Sequence, residues 1–460
     1  MSLEESSTPF DHDQIVADLQ ACLRDKRWGQ VKEVVAGLPT AEIADAFIAL
    51  PKTEKVLAFH ALPRSLAADL FSYLELDEAN NLLADLTDEH ARDLVANLKP
   101  DDRTQLLEEL PGQVTQRLLN LLSPEDLREA RQLLGYPEES VGRLMTPDYV
   151  AVRAQWTIAR AIEHIRKKGR DSEIISIVYV TDPGWQLIDA LELRKLILAD
   201  PEATVASLMD NSFVSLSAFD DREEAVRALS RYDIVALPVV DSGGVLLGIV
   251  TVDDVLDVAE EEATEDFHKG AAVSPLDRSY RESSIWALFQ KRIGWLLILV
   301  LVNLLSSAVI SAYEETLATV IALAFFIPLL IGSGGNTGAQ SATLMVRAIA
   351  TDDVRLSQWF SCVSKEVAVG MSLGAAMGLA SAVLGLFRGG WMLGVVVGLS
   401  MLGIVLVANL VGTVLPFILT RANVDPAIAS SPLITTIADA SGLLIYFGTA
   451  SFFIETGLIG

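Results

Sequence analysis

The last third of the chain most constrains its fold, because it contains apolar stretches long enough to cross a membrane. A helix needs about twenty apolar residues to span the hydrocarbon core of a bilayer. Five stretches approach or exceed this length: Ile293–Ala312, Leu317–Leu330 continuing toward Ala348, Trp359–Phe387, Trp391–Leu419 and Ala427–Ile454. We therefore expect a multidomain α-helical membrane protein in which residues 290–460 form five transmembrane helices.

Charge is distributed very unevenly along the chain. The formal net charge is −26, and about −25 of it lies in the first 290 residues. A strongly acidic domain repels nucleic acid and attracts cations. Basic residues flank the apolar stretches mainly on one side, which predicts a cell-membrane protein with a cytoplasmic N-terminus and an external C-terminus. The basic residues on the predicted inner side are Lys291, Arg292, Arg347, Arg355 and Arg421.

Residues 14–135 contain an internal repeat with a period of twelve residues. Leucine recurs at the same place in each repeat, often followed by proline, as in Leu38-Pro39 and Leu110-Pro111. Twelve residues accommodate one short helix and a turn, and such units stack on their neighbours. This segment is predicted to form a helical superhelical domain.

A second duplication follows, with an offset of 64 residues. Val141–Met145 reappears as Val205–Met209, and each copy continues into β-rich stretches separated by turns. The pattern resembles a tandem pair of CBS modules, predicted at 136–200 and 201–251, and this resemblance implies a regulatory α/β pair that can bind ATP. The second copy has the family's strand-to-helix motif at Gly248–Asp254. The first copy departs from it at Asp189–Leu193.

Residues 252–289 are predicted to form an acidic connecting segment, in which Val252–Lys269 is one acidic helix. Several carboxylates are spaced three or four residues apart, so they share a helix face and repel one another unless a cation or basic surface lies against them. A solvated connector is the alternative interpretation. The residues of this stripe are Asp254, Asp257, Glu261, Glu262, Glu265 and Asp266.

Within the apolar stretches, Asp439 is the residue that most requires a chemical explanation. An ionisable group inside a bilayer costs roughly 2.5–3.5 kcal/mol or more. Thr435 lies one turn earlier on the same face, and Pro432 is expected to free a backbone carbonyl nearby. Because Mg²⁺ prefers such hard oxygen donors, we predict an ion site here. An Asp439 held by a basic residue or by interhelical hydrogen bonds is the alternative.

The second apolar stretch contains closely spaced glycines together with two amide side chains, Asn336 and Gln340. Glycines in membrane helices allow backbones to approach closely, whereas amides bond across helices or line a polar path. The spacing does not match a phosphate-binding loop. We therefore predict that Asn336 and Gln340 line a pore.

Taken together, the stretches Pro328–Gln340 and Pro432–Tyr446, the twelve-residue repeat, the paired modules and the acidic helix resemble the MgtE family of magnesium channels. This resemblance implies a homodimer in a lipid bilayer with a pore on the two-fold axis. It also implies that Asp439 is the pore carboxylate, and that Mg²⁺ is both cargo and regulatory ligand. Ser431 stands where the family pattern often has Asn beside the pore.

The resemblance further implies that cytoplasmic Mg²⁺ bridges acidic residues and holds the connecting helix over the pore as a plug. The matching positions in the helix are Asp254, Asp257, Glu262, Glu265 and Asp266, and those in the second module are Asp221, Glu223 and Asp233. Two other functions remain open from the residues alone, namely an ion-coupled secondary transporter and a membrane-tethered nucleotide sensor without transport. The sequence contains no convincing nucleophile–base pair, so we expect no enzyme.

Overall fold

The structure is a computed structural model, and it describes residues 11–74, 76–276, 280, 283–351 and 353–456. The chain divides into two compact units between Glu260 and Glu261. Each unit is described separately below.

The first unit begins with ten short helices that confirm the twelve-residue repeat. From the second helix onward, each begins twelve residues after the one before it. The repeat's leucine ends or follows each helix and is buried at Leu50, Leu86, Leu98 and Leu110, so one continuous apolar core forms. The helices are α1 His12–Arg24, α2 Trp28–Val35, α3 Thr40–Ile48, α4 Lys52–Ala61, α5 Arg64–Ser72, α6 Leu76–Asp85, α7 Asp88–Asn97, α8 Pro100–Glu109, α9 Gly112–Leu119 and α10 Pro124–Leu133.

The duplicated region forms two three-stranded sheets of the same topology, each with one parallel and one antiparallel strand pair. The first set comprises α11 Val141–Leu144, β1 Ala151–Val152, α12 Ile158–Lys168, β2 Ile177–Thr181, β3 Leu187–Glu192 and α13 Leu193–Leu198. The second comprises a 3₁₀ turn Val205–Leu208, β4 Leu216–Ser217, α14 Arg222–Tyr232, β5 Ala236–Val240 and β6 Leu246–Thr251.

The two modules exchange their leading segments. Val141 and Met145 pack into the core of the second module with Leu237 and Val250. Val205 packs reciprocally into the core of the first module. The predicted linear boundaries therefore do not correspond to separately packed cores.

A single helix, α15 Val252–Gly270, follows the last strand. The predicted helix Val252–Lys269 is confirmed, whereas the longer segment 252–289 is not one helix, because the backbone leaves the helix after Gly270. Ala272 adopts a left-handed conformation with φ 57°, and the Val273 amide bonds back to the His268 carbonyl. The next helix already begins at Ile285, before the predicted start of the membrane region.

The second unit continues with long apolar helices. They are α16 Ile285–Ala312, α17 Glu314–Thr319, a 3₁₀ segment Ile321–Phe326, α18 Ile327–Ala350, a 3₁₀ turn Leu356–Gln358, α19 Trp359–Arg421, a 3₁₀ turn Pro426–Ile428 and α20 Ser431–Glu455. Four helical stretches of the described residues are long and apolar enough to cross a membrane. The prediction of one helix beginning at Leu317 is wrong, because a break precedes α18 and Pro328 lies in its first turn.

The 63-residue helix α19 is interrupted at Gly389 and Gly390, where Gly390 has φ 84°. Its two halves pack against each other at several glycines. A Cβ on Gly378 would lie 2.7 Å from the Gly398 carbonyl oxygen, and one on Gly385 would lie 2.7 Å from the Gly394 Cα. The helix is therefore a hairpin of two apolar arms.

Candidate functional site

Asp439 lies in the ninth position of α20, a largely apolar helix. Its side chain is partly enclosed, and its Oδ1 atom is buried without a hydrogen-bond partner among the described residues. No ion pair involves Asp439 in that part of the chain. Among the described residues, therefore, neither a basic partner nor an interhelical hydrogen bond, the two alternatives predicted for this carboxylate, is present.

The start of α20 corrects one sequence-based prediction. Pro432 lies in the first helical turn, where the backbone N–H has no intrahelical acceptor, so no helical hydrogen bond is lost there. The Thr435 hydroxyl instead donates to the Ser431 carbonyl at 2.8 Å, and the Thr436 hydroxyl donates to the Pro432 carbonyl at 2.8 Å. The oxygens near Asp439 are thus bonded within the helix, although a hydroxyl oxygen can still accept.

Helix α18 lies close beside α20 because glycines face it. A Cβ on Gly335 would lie 2.8 Å from the Thr435 Cγ2, and one on Gly338 would lie 2.9 Å from the Ile434 Cγ2. Asn336 follows Gly335 directly but faces outward. Gly335 and Asn336 are adjacent in sequence but lie on different faces of α18. Sequence spacing alone did not show which of these faces packs against α20.

The polar face of α18 is exposed on the surface of the single chain. Asn336 and Gln340 are one turn apart, exposed, and make no hydrogen bond within the described residues. Gly332 and Arg347 extend the same exposed stripe toward the two ends of the helix. Amides and a guanidinium facing lipid would be costly, so this face requires water or a second polar surface.

A second carboxylate cluster lies wholly within the first unit. Asp254, at the start of α15, faces Asp101, Asp253 and Glu173, and Asp102 also lies among these acidic groups. The Lys99 Nζ lies 2.6 Å from the Glu173 Oε1. Thr251 donates its hydroxyl to the Asp254 Oδ2 at 2.8 Å and also bonds Asp253. Three segments distant in sequence, namely the start of α8, the stretch after α12 and the start of α15, therefore bring negative charge to one place.

The electrostatics of this cluster favour a bound cation or proton. Burial, together with neighbouring carboxylates, raises the pKa of Asp101 and of Asp254 to about 7. Burial raises the pKa of Asp102 to about 6, although Lys99 opposes the shift. Asp101 is only 8% exposed, and its Oδ1 has no hydrogen-bond partner in the described structure. Ionised carboxylates so close together repel one another unless a positive ion lies between them.

These groups do not form a finished inner-sphere metal cage. Among the described residues, no three His, Cys, Asp or Glu side chains converge closely enough to hold a metal ion. Mg²⁺ retains most of its water when it binds protein, however, so it needs negative charge at hydrated distance rather than a tight cage. A donor set of carboxylate oxygens is chemically suited to a hydrated divalent cation such as Mg²⁺.

Further along α15, Glu265 and Asp266 belong to another cluster, in the second unit. Lys269 donates to the Glu265 Oε1 at 2.5 Å and to the Asp425 Oδ2 at 2.7 Å. Asp257, Glu261 and Glu262 also make interactions. The predicted stripe on α15 therefore serves two separate clusters.

The remaining predicted residues lie at the two ends of α14. Asp221 caps the N-terminus and accepts the Glu223 N–H at 2.9 Å, and Glu223 pairs with Arg227. Asp233 lies past the other end, in a left-handed conformation with φ 52°. Eleven helical residues separate the two ends by about 16 Å.

A cleft of about 700 Å³ lies between the two modules. Its lining includes Glu192, Arg194, Ile197, Asp233 and Val235. An apolar wall with one guanidinium and carboxylates is chemically suitable for a nucleotide base and ribose. Of these residues, Asp233 is also a predicted metal ligand.

The divergent motif of the first module has a structural role. Asp189, which is fully buried, accepts backbone N–H groups from Ala190, Asp210 and Asn211 at 2.8–3.1 Å. It ties β3 to the segment that enters the second module. The glycine-containing motif is thus replaced by a side-chain clamp.

Sequence reasoning missed Asp101, Asp102, Glu173, Lys269 and Asp425. The signal for the first two was weak, since Asp101 and Asp102 occupy the ordinary acidic first turn of a repeat helix. The sequence around Asp425 is typical of an exposed loop. A role for Asp425 is indicated only by its contact with Lys269 in the structure.

Comparisons with known proteins agree with this architecture. A family model described as a divalent cation transporter, MgtE, matches residues 327–449. A model of the MgtE intracellular N domain matches 38–139, and a CBS domain model matches 205–261.

Two curated relatives are similar over most of the chain. Magnesium transporter MgtE of Thermus thermophilus is 43% identical over 340 residues, covering 74% of this chain and 76% of the relative. Magnesium transporter MgtE of Bacillus subtilis is 36% identical over 353 residues, covering 76% and 78%.

Two solved structures resemble the first part of the chain. The soluble part of a magnesium transporter superposes with a TM-score of 0.53 and 29% identity, covering 55% of this chain and all of the other. The cytosolic domain of the Mg²⁺ channel MgtE in complex with ATP has a TM-score of 0.51 and 34% identity, covering 53% and 99%. With an N domain, a CBS pair and a helical region of apolar helices in this order, the chain belongs to the MgtE family of magnesium transporters.

Proposed function

We propose that this protein is a homodimeric Mg²⁺ channel that admits Mg²⁺ to the cytoplasm and is closed by cytoplasmic Mg²⁺. The observation that carries the proposal is Asp439, a carboxylate inside an apolar helix with an enclosed oxygen that has no partner in the described chain. A carboxylate inside an apolar helix is costly when nothing neutralises it, and binding a cation offsets that cost.

Two copies of the chain account for the exposed polar face of α18. If α18 and α20 of two subunits face each other across a two-fold axis, Asn336, Gln340, Ser431 and two Asp439 carboxylates line one polar path. A path of this kind binds Mg²⁺ in its hydrated form, because the ion loses its water reluctantly. The hairpin α19 then contributes two spans, which gives five per subunit.

The acidic clusters of the cytoplasmic part supply the gate. When cytoplasmic Mg²⁺ is high, it neutralises the carboxylates around Asp254 and Asp101 and stabilises the arrangement that places α15 as a plug. When Mg²⁺ falls, the uncompensated charge favours a different arrangement. Mg²⁺ thereby shifts the population through its higher affinity for the closed state.

Mg²⁺ flux into proteoliposomes tests pore and gate together. With low cytoplasmic Mg²⁺, Asp439→Ala is expected to lower flux about tenfold or more, equivalent to about 1.4 kcal/mol of lost ion stabilisation. Asp353→Ala, at an exposed carboxylate outside the spans, is the matched control and should conduct like the native protein. High cytoplasmic Mg²⁺ should suppress flux in both the native protein and this control.

Other results identify the rival functions. Flux that requires an imposed Na⁺ or proton gradient indicates a coupled secondary transporter. The absence of flux in correctly oriented native protein leaves a sensor without transport. The flux experiment is also repeated with ATP on the cytoplasmic face, because ATP was bound to the related cytosolic domain. If the cleft lined by Arg194 binds ATP, the Mg²⁺ dependence shifts in the native protein and not in Arg194→Ala.

A further inference from the structure

The last turn of α15 carries a cation at a place where the charge pattern otherwise favours Mg²⁺. The Lys269 Nζ contacts the Glu265 Oε1 at 2.5 Å and the Asp425 Oδ2 at 2.7 Å. All three side chains are about one-quarter to one-third exposed, so water screens the pairs only in part. The ammonium thus bridges the helix and the loop between α19 and α20.

The surroundings of Lys269 are acidic. Asp266 also faces Asp425, and among the described residues the cations that act on it are Lys269 and Arg347. Burial, followed by the Asp425 charge, raises the pKa of Asp266. Burial lowers the pKa of Lys269, but the hydrogen bonds and charges of Asp425 and Glu265 outweigh it and raise the pKa overall. Three carboxylates therefore share two cations.

The local sequence fixes Lys269 in this position. Glu265 precedes Lys269 by four residues, which is the favourable order for a helical ion pair, and a cation suits a helix C-terminus. The helix end is defined by the Ala271 N–H bonded to the Phe267 carbonyl. These interactions already position Lys269 at the end of α15, so its contact with Asp425 requires no rearrangement of the helix end.

The loop residue at the other end of the bridge leads directly into the pore helix. The Asp425 Oδ1 accepts the Ala427 N–H at 2.8 Å while its Oδ2 accepts from Lys269. Helix α20 starts six residues later, at Ser431, and carries Asp439. A force on Asp425 from α15 therefore acts next to the start of this helix.

We propose that Lys269 is a built-in cationic latch, which holds the last turn of α15 on the loop before α20 without a metal ion and so sets how much cytoplasmic Mg²⁺ closes the pore. This inference rests on the proposed function. The Lys269–Asp425 contact then supplies part of the interaction that closes the pore. The pore is therefore partly closed before Mg²⁺ binds, and Mg²⁺ completes the closure.

The test compares Mg²⁺ inhibition of flux in the native protein, Lys269→Gln and Lys269→Arg. Lys269→Gln removes one of the two cations that act on these carboxylates among the described residues, so the half-inhibiting Mg²⁺ concentration should rise about fivefold. Lys269→Arg keeps the charge and should remain near the native value. Lys195→Gln removes a comparable cation, paired with Asp210 at 3.5 Å in the first unit, and serves as the matched control.

A double-mutant cycle tests direct pairing. Asp425→Asn keeps the Oδ1 acceptor for Ala427 but removes the charge that Lys269 contacts. If the two residues act as one latch, the double variant should shift inhibition no further than either single variant, because neighbouring residues are not additive. Additive shifts, or equal shifts in Lys269→Gln and Lys269→Arg, would overturn the latch.

Hydrogen exchange in Mg²⁺-free protein separates this proposal from the function on which it rests. The last-turn amides of α15, including Ala271, should exchange about fivefold faster in Lys269→Gln than in native protein. Unchanged exchange overturns the latch whatever the flux shows. If flux through the native protein does not depend on cytoplasmic Mg²⁺, the proposed gate is wrong. The hydrogen-exchange result still tests the Lys269–Asp425 contact in that case.

Discussion

At the residue scale, the same side chain has different roles according to the groups around it. The carboxylate of Asp189 is fully buried and accepts three backbone N–H groups, so its burial is compensated within the fold. Asp101 is nearly as buried but has an oxygen without a hydrogen-bond partner in the described structure, and other carboxylates surround it. Asp189 is therefore a structural clamp, whereas Asp101 is suited to binding a cation.

Asp101 leads to a prediction about pH. Its pKa is raised in the folded protein to about 7, so the folded state binds a proton more tightly than the unfolded state does. Without Mg²⁺, the carboxyl's contribution to stability is present at low pH and is lost as pH rises from about 4 to about 7. Thermal unfolding in chelator should therefore occur at lower temperature at pH 8 than at pH 6, and added Mg²⁺ should stabilise more at pH 8.

The variant Asp101→Asn removes the charge that creates this dependence. It should unfold at higher temperature than native protein in chelator at pH 8, and Mg²⁺ should stabilise it less. Glu125→Gln changes an exposed carboxylate in the first turn of α10 and is the control. An Asp101→Asn protein with native pH and Mg²⁺ dependence would contradict the assignment.

At the element scale, glycines determine how closely the membrane helices pack. A Cβ on Gly412 would lie 2.2 Å from the Gly338 carbonyl oxygen, which places α18 against the second arm of α19 at backbone distance. A polar network reinforces the contact. The Ser341 hydroxyl donates to the Asn409 carbonyl at 3.1 Å and shares a hydrogen bond with Thr413. This side of α18 is fixed, which leaves Asn336 and Gln340 on the free side.

Gly412→Ala is predicted to separate α18 from α19. A methyl group at this position meets rigid backbone rather than a flexible side chain, so the helices must move apart or rotate. Folded yield and thermal stability in detergent should fall, with a cost of roughly 1–3 kcal/mol. Gly294→Ala is the control, because no atom lies within 4 Å of its Cβ position, and its stability should stay near native. Equal behaviour of the two variants would show that the close approach is not required.

At the scale of the whole molecule, the break in α19 determines the membrane topology. With the positive-inside rule, the turn at Gly389 is expected outside and the α19–α20 loop inside. In a chain with Cys22 and Cys362 replaced by serine, Phe387→Cys should react with a membrane-impermeant thiol reagent added outside. Ala422→Cys should react only after the membrane is permeabilised. The reverse pattern, or protection of both sites, would reject the five-span orientation.

The repeats and the long apolar stretches could be predicted from the sequence because their signal is periodic and local. The twelve-residue leucine period matches the spacing of the helix starts from Trp28 to Pro124, and the 64-residue offset predicted the duplicated modules. Helix ends were less predictable. The start of α18 at Ile327 depends on a 3₁₀ segment whose Leu323 carbonyl accepts from the distant Tyr446 hydroxyl at 2.9 Å. Such a contact leaves no local trace in the sequence.

The sequence by itself determined the order of domains, the membrane character of the last third and the unusual carboxylate at Asp439, since composition and periodicity act over neighbouring residues. Only the tertiary structure decided which acidic residues share a cluster. Asp101, Glu173 and Asp254 are separated by 72 and 81 residues in sequence but meet because α8, the first module and α15 pack within one unit. Lys269 likewise acquires its role from Asp425. Electrostatic interaction depends on distance in space, which chain folding sets and sequence separation does not.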